Sequence, residues 1–210
     1  LKKDAIEYRP MTSCLLPMGE LHGKHLVTIE GLNMEHLSSV QNAMVDCGGT
    51  QCGYCTPGFV VCMTAGLMAP QVPLNEEGVL YAISGNLCRC TGYRSIKDAG
   101  IQAIESLRDQ LINKERIEAL VEAKALPKFF LGIAERLKGI KPEEILQMET
   151  QQRGRTIVAG GTDLYVQRGE QLAESSITLL NNGSEIPPAI ASEGRVIIDA
   201  RMTFEAFATD

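Results

Sequence analysis

Several features that define common classes of protein are missing from this sequence of 210 residues. It has no apolar run near the roughly 18 residues that a membrane-spanning helix requires. It has no long basic run, and its net charge of −6 argues against a nucleic acid or an anionic membrane as partner. It shows neither a Ser-His-Asp set nor another nucleophile motif, and its three histidines are not grouped with acids at ligand spacing.

Targeting signals and internal repeats are also missing. There is no signal-peptide pattern at the start and no low-complexity tract. Seven cysteines is an odd number, and four of them have the spacing of metal ligands, which favours a reducing compartment such as the cytoplasm. The chain begins at Leu1 and stops within a helical-looking stretch, residues 203–210, so we expect it to be a fragment.

Four cysteines form the most informative pattern that is present. Cys52 and Cys55 have C-x2-C spacing, and Cys88 and Cys90 follow after 32 intervening residues with C-x-C spacing. Thiolates are soft ligands that suit iron–sulfur clusters or zinc. Disulfides and a four-cysteine zinc site are the alternatives, although the common zinc pattern has two C-x2-C pairs and fits this spacing less well.

The residues after each cysteine pair predict the start of a helix. Thr56-Pro57 is typical of an N-cap followed by the first helical position, and Thr91-Gly92 is a second plausible helix start. Both pairs are therefore predicted at helix N-termini, where free N–H groups and the helix dipole favour a negatively charged cluster.

Residues 38–111 are predicted to form a bundle of four helices that the ligand loops cap. Ser38 and Gln41 have capping-box spacing, and Gly48-Gly49 ends the first helix. The second helix is predicted over residues 57–69, and the third from about Asn75 with Val79, Leu80 and Ile83 inward. The fourth is predicted over residues 95–111, with six apolar residues inward: Ile96, Ala99, Ala103, Ile104, Leu107 and Leu111. Cys47 and Cys62 fall on apolar faces, where cysteine behaves as a small hydrophobe.

Strands are predicted outside this bundle. Alternating and β-branched residues predict strands at residues 24–30, 156–158, 176–180 and 195–199. Gly160-Gly161 directly follows one of them, and glycines at a strand end allow backbone N–H groups to approach a phosphate closely. Residues 113–141 are charged and then apolar around Phe129 and Phe130, which predicts a linker that packs on a neighbouring domain.

The stretches around the ligands, residues 50–59 and 85–94, resemble the signature of the xanthine dehydrogenase family of molybdenum hydroxylases. The resemblance implies that Cys52, Cys55, Cys88 and Cys90 bind a [2Fe-2S] cluster, with Gln51 and Cys90 on the side facing the molybdopterin cofactor. Cys14 matches the last ligand of a second, ferredoxin-type [2Fe-2S] cluster, but its three partner ligands are absent, so we expect it to be idle in this chain. The implied FAD-binding residues are Val158, Ala159, Gly160, Gly161, Thr162, Asp163 and Leu164.

The same resemblance implies an α+β chain with four parts. They are the end of a β-grasp, plant-type ferredoxin domain (1–31), a four-helix [2Fe-2S]-binding domain (32–112), a linker (113–141) and the start of an α+β FAD-binding domain (142–210). Residues that complete the FAD site are expected beyond Asp210, so this chain alone should bind FAD weakly.

The implied function is electron transfer within a multi-subunit oxidoreductase. Electrons from a molybdopterin centre on another domain or subunit, where substrates such as purines are hydroxylated, would pass through [2Fe-2S] clusters to FAD and on to an acceptor such as NAD. Two alternatives stay open, a zinc-stapled helical interaction module and a flavin-binding fragment without redox activity.

Overall fold

The computed structural model of the chain describes residues 6–16, 18–21, 23–112, 114–140, 156–179, 190–192, 194–199 and 202. The chain divides into two compact units. The first consists of Leu1–Pro10 and His25–Gly139, and the second of Met11–Lys24 and Ile140–Asp210. Among the described residues, no helix combines the length and the apolar character needed to cross a membrane.

All the regular structure described for the first unit is helical. Its described helices are α1 (Ser39–Asp46), α2 (Thr56–Met68), α3 (Glu76–Ile83), α4 (Arg94–Leu111), α5 (Arg116–Glu122) and α6 (Ile133–Lys138). Short 3₁₀ turns lie at Ile29–Leu32 and Lys128–Phe130. The four helices predicted for residues 38–111 are confirmed, because α1 to α4 occupy the expected stretches.

Local signals in the sequence set the ends of these helices. The backbone N–H of Gln41 donates to Ser38 Oγ at 3.3 Å, and the backbone N–H of Ser38 donates to Gln41 Oε1 at 2.8 Å, which confirms the capping box. Gly48 adopts φ 63° just after α1, the left-handed conformation that glycine tolerates at a helix C-terminus. Asn75 caps α3 by accepting from the backbone N–H of Gly78 at 3.0 Å.

Helix α4 presents the apolar face that its periodicity predicts. Its six predicted core residues are all buried: Ile96, Ala99, Ala103, Ile104, Leu107 and Leu111. Phe59 of α2 is fully buried within the same core. One core position was predicted wrongly, since Leu80 of α3 is 48% exposed while its neighbours Val79 and Ile83 are buried.

The segment predicted as a linker, residues 113–141, contributes to the same core. Leu120, Leu126 and Phe130 are buried against the bundle, whereas Phe129 is 43% exposed. The Arg116 guanidinium donates to the carbonyl oxygens of Leu67 at 3.2 Å and Val72 at 3.3 Å, which satisfies backbone acceptors at the end of α2 and just beyond it.

The predicted strand at residues 24–30 is wrong. These residues run as irregular backbone as far as Thr28 and then enter the Ile29–Leu32 turn. A strand needs a neighbour for its backbone hydrogen bonds, and the described part of this unit offers none. The alternation instead reflects packing, because Val27 and Ile29 lie against the helical core.

The second unit contains a small β-α-β arrangement and a hairpin. Strand β1 (Thr156–Val158) pairs in parallel with β2 (Ile177–Leu179), and α7 (Thr162–Ala173) connects them. Strands β3 (Ile190–Ser192) and β4 (Arg195–Ile197) pair antiparallel. Strands are therefore confirmed within three of the predicted stretches, while residue 180 and the predicted helical stretch 203–210 lie outside the described residues.

Candidate metal centre

The fold brings the four predicted ligand cysteines together at one end of the helical unit. Cys52 and Cys55 lie on the loop between α1 and α2, and Cys88 and Cys90 lie on the loop between α3 and α4. The Cys90 thiol donates to the Cys52 sulfur at an Sγ–Sγ distance of 3.6 Å. Cys55 and Cys88 also interact across the two loops: after desolvation, Cys88 helps to raise the pKa of the Cys55 thiol, and after Thr91 and Cys90, Cys55 helps to lower the pKa of Cys88. The sulfurs thus form two pairs, and each pair takes one member from each loop.

This pairing matches the ligand requirement of a binuclear cluster. Two thiolates on one tetrahedral metal, with metal–sulfur bonds of about 2.3 Å, lie about 3.8 Å apart. The Cys52–Cys90 distance of 3.6 Å is close to that separation. A [2Fe-2S] cluster needs two such pairs, one for each iron, whereas a structural zinc ion needs four ligands around one point. The donor set therefore fits a [2Fe-2S] cluster better than one zinc ion.

Left-handed residues shape both ligand loops. Gly53, between the first two cysteines, has φ 84°, and the backbone N–H of Thr56 then donates to the Gly53 carbonyl at 3.3 Å. Gly92 and Tyr93, after the second pair, have φ 66° and 68°. Such angles suit glycine but cost energy in a residue such as tyrosine, so the surroundings must hold Tyr93 in place.

The helix starts differ slightly from the predicted ones. Cys55 itself is the N-cap of α2, so that Thr56 is the first helical residue, and the first cysteine pair adjoins a helix N-terminus as predicted. Helix α4 starts at Arg94 with Tyr93 as its N-cap. The N-cap predicted at Thr91 is therefore wrong by two residues, because the left-handed Gly92 and Tyr93 delay the helix, whereas the helix predicted over residues 95–111 begins only one residue earlier than expected.

Hydrogen bonds distribute thiolate character unevenly over the four sulfurs. They lower the pKa of the Cys88 thiol to about 7, through the Thr91 hydroxyl first and then the backbone N–H groups of Thr91 and Cys90. The backbone N–H of Tyr54 lowers the pKa of Cys52. The pKa of Cys55 is raised, mainly by desolvation, and that of Cys90 is raised because its thiol donates to Cys52. Each pair thus has one sulfur disposed to be a thiolate, the form that binds metal.

The other cysteines of the helical unit do not join this group. Burial raises the pKa of the Cys62 thiol, which also contacts the Asn86 side chain. The Cys47 thiol donates to Gln102 Oε1 at 3.2 Å. Cys14 is exposed on the 3₁₀ turn Ser13–Leu15 of the second unit. Its expected lack of partner ligands stays a prediction.

The centre lies at the surface of its unit. Cys52, Cys90 and the neighbouring Gln51 are exposed, and the apolar side chains of Tyr54 and Leu87 are 94% and 85% exposed. Thr91 and Tyr93 were not predicted as site residues, yet both form hydrogen bonds to Cys88. Their position just after the last ligand was the only sequence signal that could have identified them.

The predicted FAD phrase spans the end of β1 and the first turn of α7. Its residues run from Val158 to Leu164. Gly161 caps α7 with φ 69°, and a Cβ there would lie 2.5 Å from Val158 Cγ1 and 2.6 Å from Tyr165 Cε2. A Cβ at Gly160 would meet nothing within 4 Å. The turn itself requires Gly161, whereas local packing does not require Gly160.

Comparison with known proteins finds similarity within the helical unit. Residues 28–101 match the family model described as "[2Fe-2S] binding domain". Aldehyde oxidase 1 of Cavia porcellus is 46% identical over 97 residues, which are 45% of this chain and 7% of the relative. Xanthine dehydrogenase of Oryza sativa subsp. japonica is 41% identical over 104 residues, or 49% of this chain and 8% of the relative.

The quinoline 2-oxidoreductase structure from Pseudomonas putida 86 is 35% identical, covers 40% of this chain and 54% of that chain, and has a TM-score of 0.35. That score is too low for a comparison of the two overall folds. The chain spans only 7% and 8% of the length of the two curated relatives.

Proposed function

Because residues 28–101 match a model of a [2Fe-2S] binding domain and about half of the chain is similar to segments of a xanthine dehydrogenase and an aldehyde oxidase, we propose that the chain is an electron-transfer part of a molybdenum hydroxylase. The observation that carries the proposal is the arrangement of four thiols as two pairs on two loops of one helical unit. Such a donor set suits a binuclear iron–sulfur cluster.

Each ligand pair is assigned to one iron in this proposal. Cys52 and Cys90 bind one iron because their sulfurs lie 3.6 Å apart, and Cys55 and Cys88, which influence each other's pKa, bind the other. When bound, the cluster supplies one-electron redox chemistry. The chain's own residues hold it at the surface of the unit, donate hydrogen bonds to its ligand sulfurs and leave Tyr54 and Leu87 exposed beside it.

The wider electron path follows from the family resemblance. Gln51 and Cys90 face a molybdopterin cofactor on another domain or subunit of a multi-subunit complex. Residues 158–164 contribute to an FAD site at the start of a flavin domain, from which electrons reach an acceptor such as NAD. Residues 1–31 are the end of a ferredoxin domain, in which Cys14 corresponds to one ligand of a second cluster and stays idle because its three partner ligands are absent from this sequence. We further propose a cytoplasmic setting, since exposed ligand thiols persist best where thiols stay reduced.

A visible absorption spectrum tests this function against the zinc-stapled alternative. We expect the purified chain to be coloured, to bleach when dithionite reduces it, and to recover on reoxidation by air. A zinc protein of the same fold would be colourless and would not respond to dithionite. A colourless chain that stays folded and retains one zinc ion would contradict electron transfer.

The chain alone is expected to bind FAD weakly or not at all. The turn from β1 to α7 offers backbone donors, but flavin sites enclose most of their ligand between several segments. Titration with FAD, followed by flavin fluorescence, should show no tight, stoichiometric quenching. If tight quenching is seen, the Gly160→Val variant tests whether the flavin binds at this turn. The new side chain has free space in the protein, so it obstructs only a ligand that approaches the backbone there. Quenching that this variant abolishes would mean that a complete flavin site is present here.

A further inference from the structure

The hydrogen bonds around Cys88 show that the Thr91 hydroxyl, rather than the Cys88 thiol, is the donor in the contact between these two side chains. Thr91 Oγ1 lies 3.2 Å from Cys88 Sγ, and the backbone N–H of Thr91 donates to the same sulfur at 3.5 Å. The backbone N–H of Tyr93 donates to Thr91 Oγ1 at 3.2 Å. Because that oxygen already accepts from Tyr93 and a ligand thiolate can only accept, the Thr91 hydroxyl donates to the Cys88 sulfur.

Tyr93 fixes this hydroxyl in place from a second direction. The tyrosine Oη accepts the backbone N–H of Cys88 at 3.0 Å, so that Tyr93 contacts both Cys88 and Thr91. Its ring packs edge-on against the buried Phe59 of α2, with ring centroids 6.4 Å apart. These contacts compensate for the left-handed backbone at Tyr93 and anchor the turn that carries Thr91.

The other ligand pair has no equivalent hydroxyl in the described part of the structure. Cys52 receives hydrogen bonds from the backbone N–H of Tyr54 and from the Cys90 thiol. Thr50, two residues before Cys52, instead shares a hydrogen bond with the Thr56 hydroxyl at 3.1 Å. The side-chain hydroxyl donor is thus confined to the Cys55–Cys88 pair, and the two ends of the centre are electrostatically different.

We propose that Thr91 is a positioning residue: its hydroxyl donates a hydrogen bond to the Cys88 sulfur and thereby raises the reduction potential of the metal centre. The inference rests on the proposed function, because it requires a redox cluster on these cysteines. Reduction adds one electron, taken from dithionite or a redox mediator, with no bond broken and no proton transferred. The added electron increases negative charge at the ligand sulfurs, so a hydrogen bond to Cys88 stabilises the reduced state more than the oxidised state.

The test is a redox titration of the purified chain and three variants, followed by visible absorption. Thr91→Val should shift the midpoint potential to a more negative value, and Thr91→Ser should restore it towards that of the wild type. Thr50→Val is the matched control, because it removes a threonine hydroxyl that contacts another hydroxyl rather than a sulfur. Its potential should equal that of the wild type. Iron content, measured in parallel, should be the same in all four proteins.

Two results would overturn the inference in distinguishable ways. A wild-type chain with no iron–sulfur spectrum would overturn the proposed function and this inference with it. A wild-type cluster whose potential is the same in Thr91→Val, at equal iron content, would overturn the inference alone. If Thr91→Val retains less iron than the wild type, Thr91→Ala replaces it, since alanine removes the hydroxyl without a branched side chain beside Cys88. The same two criteria then apply.

Discussion

Cys88→Ala is expected to remove the cluster, lowering bound iron from about two atoms per chain to nearly none. The hydroxyl and the backbone N–H of Thr91 both form hydrogen bonds to Cys88 Sγ, at 3.2 and 3.5 Å, so this sulfur is held in place at the centre. Its loss leaves one iron with a single thiolate from this chain. Iron analysis of the purified variant, together with its visible spectrum, measures the effect.

Cys62→Ala is the matched control for this substitution. Cys62 is a half-buried cysteine of α2 that contacts Asn86 and none of the four ligand sulfurs in the described hydrogen bonds. It should retain the iron content of the wild type, with a modest loss of stability because a partly buried sulfur is removed. Equal iron in the two variants, whether high or low, would contradict the assignment of Cys88 as a ligand.

Gly78→Ala is expected to destabilise the helical unit by about 3 kcal/mol or more. A Cβ at Gly78 would lie 1.9 Å from the carbonyl oxygen of Pro73 and 3.1 Å from Val72 Cγ1. The first of these neighbours is backbone, so α3 or the turn before it must move. That movement also disturbs the Asn75 cap, which accepts the backbone N–H of Gly78. Urea denaturation followed by far-ultraviolet circular dichroism measures the loss.

Gly85→Ala separates this clash from a general effect of replacing glycine. A Cβ at Gly85 would meet nothing within 4 Å, and Gly85 does not have a positive φ. Its denaturation midpoint should stay close to that of the wild type. If Gly78→Ala unfolded at the same urea concentration as Gly85→Ala, the close approach of Gly78 to the turn before α3 would be contradicted.

The parts of the fold that depend on residues close together in the sequence could be predicted from the sequence. The capping box at Ser38 and Gln41, the Asn75 start of α3 and the apolar face of α4 all follow from periodicities and caps within one or two helical turns. The strand predicted at residues 24–30 is wrong. Alternation predicts that every second side chain is buried, but an irregular segment that packs on helices gives the same pattern as a strand.

The candidate site divides in the same way. Ligand spacing predicted the four cysteines but could not reveal which sulfurs face each other across the two loops. The Cys52–Cys90 and Cys55–Cys88 pairs depend on how α2, α3 and α4 pack together. The roles of Thr91 and Tyr93 depend on two consecutive left-handed residues, of which the second is a tyrosine, and no propensity predicts that conformation for tyrosine.

The central claim is that Cys52, Cys55, Cys88 and Cys90 hold one [2Fe-2S] cluster. The most direct test is the content of iron, acid-labile sulfide and zinc in the chain purified without oxygen. The account predicts about two irons and about two sulfides per chain, with no stoichiometric zinc. About four irons would show that a second cluster assembles despite the three missing partners of Cys14. One zinc per chain, with neither iron nor sulfide, would contradict the account.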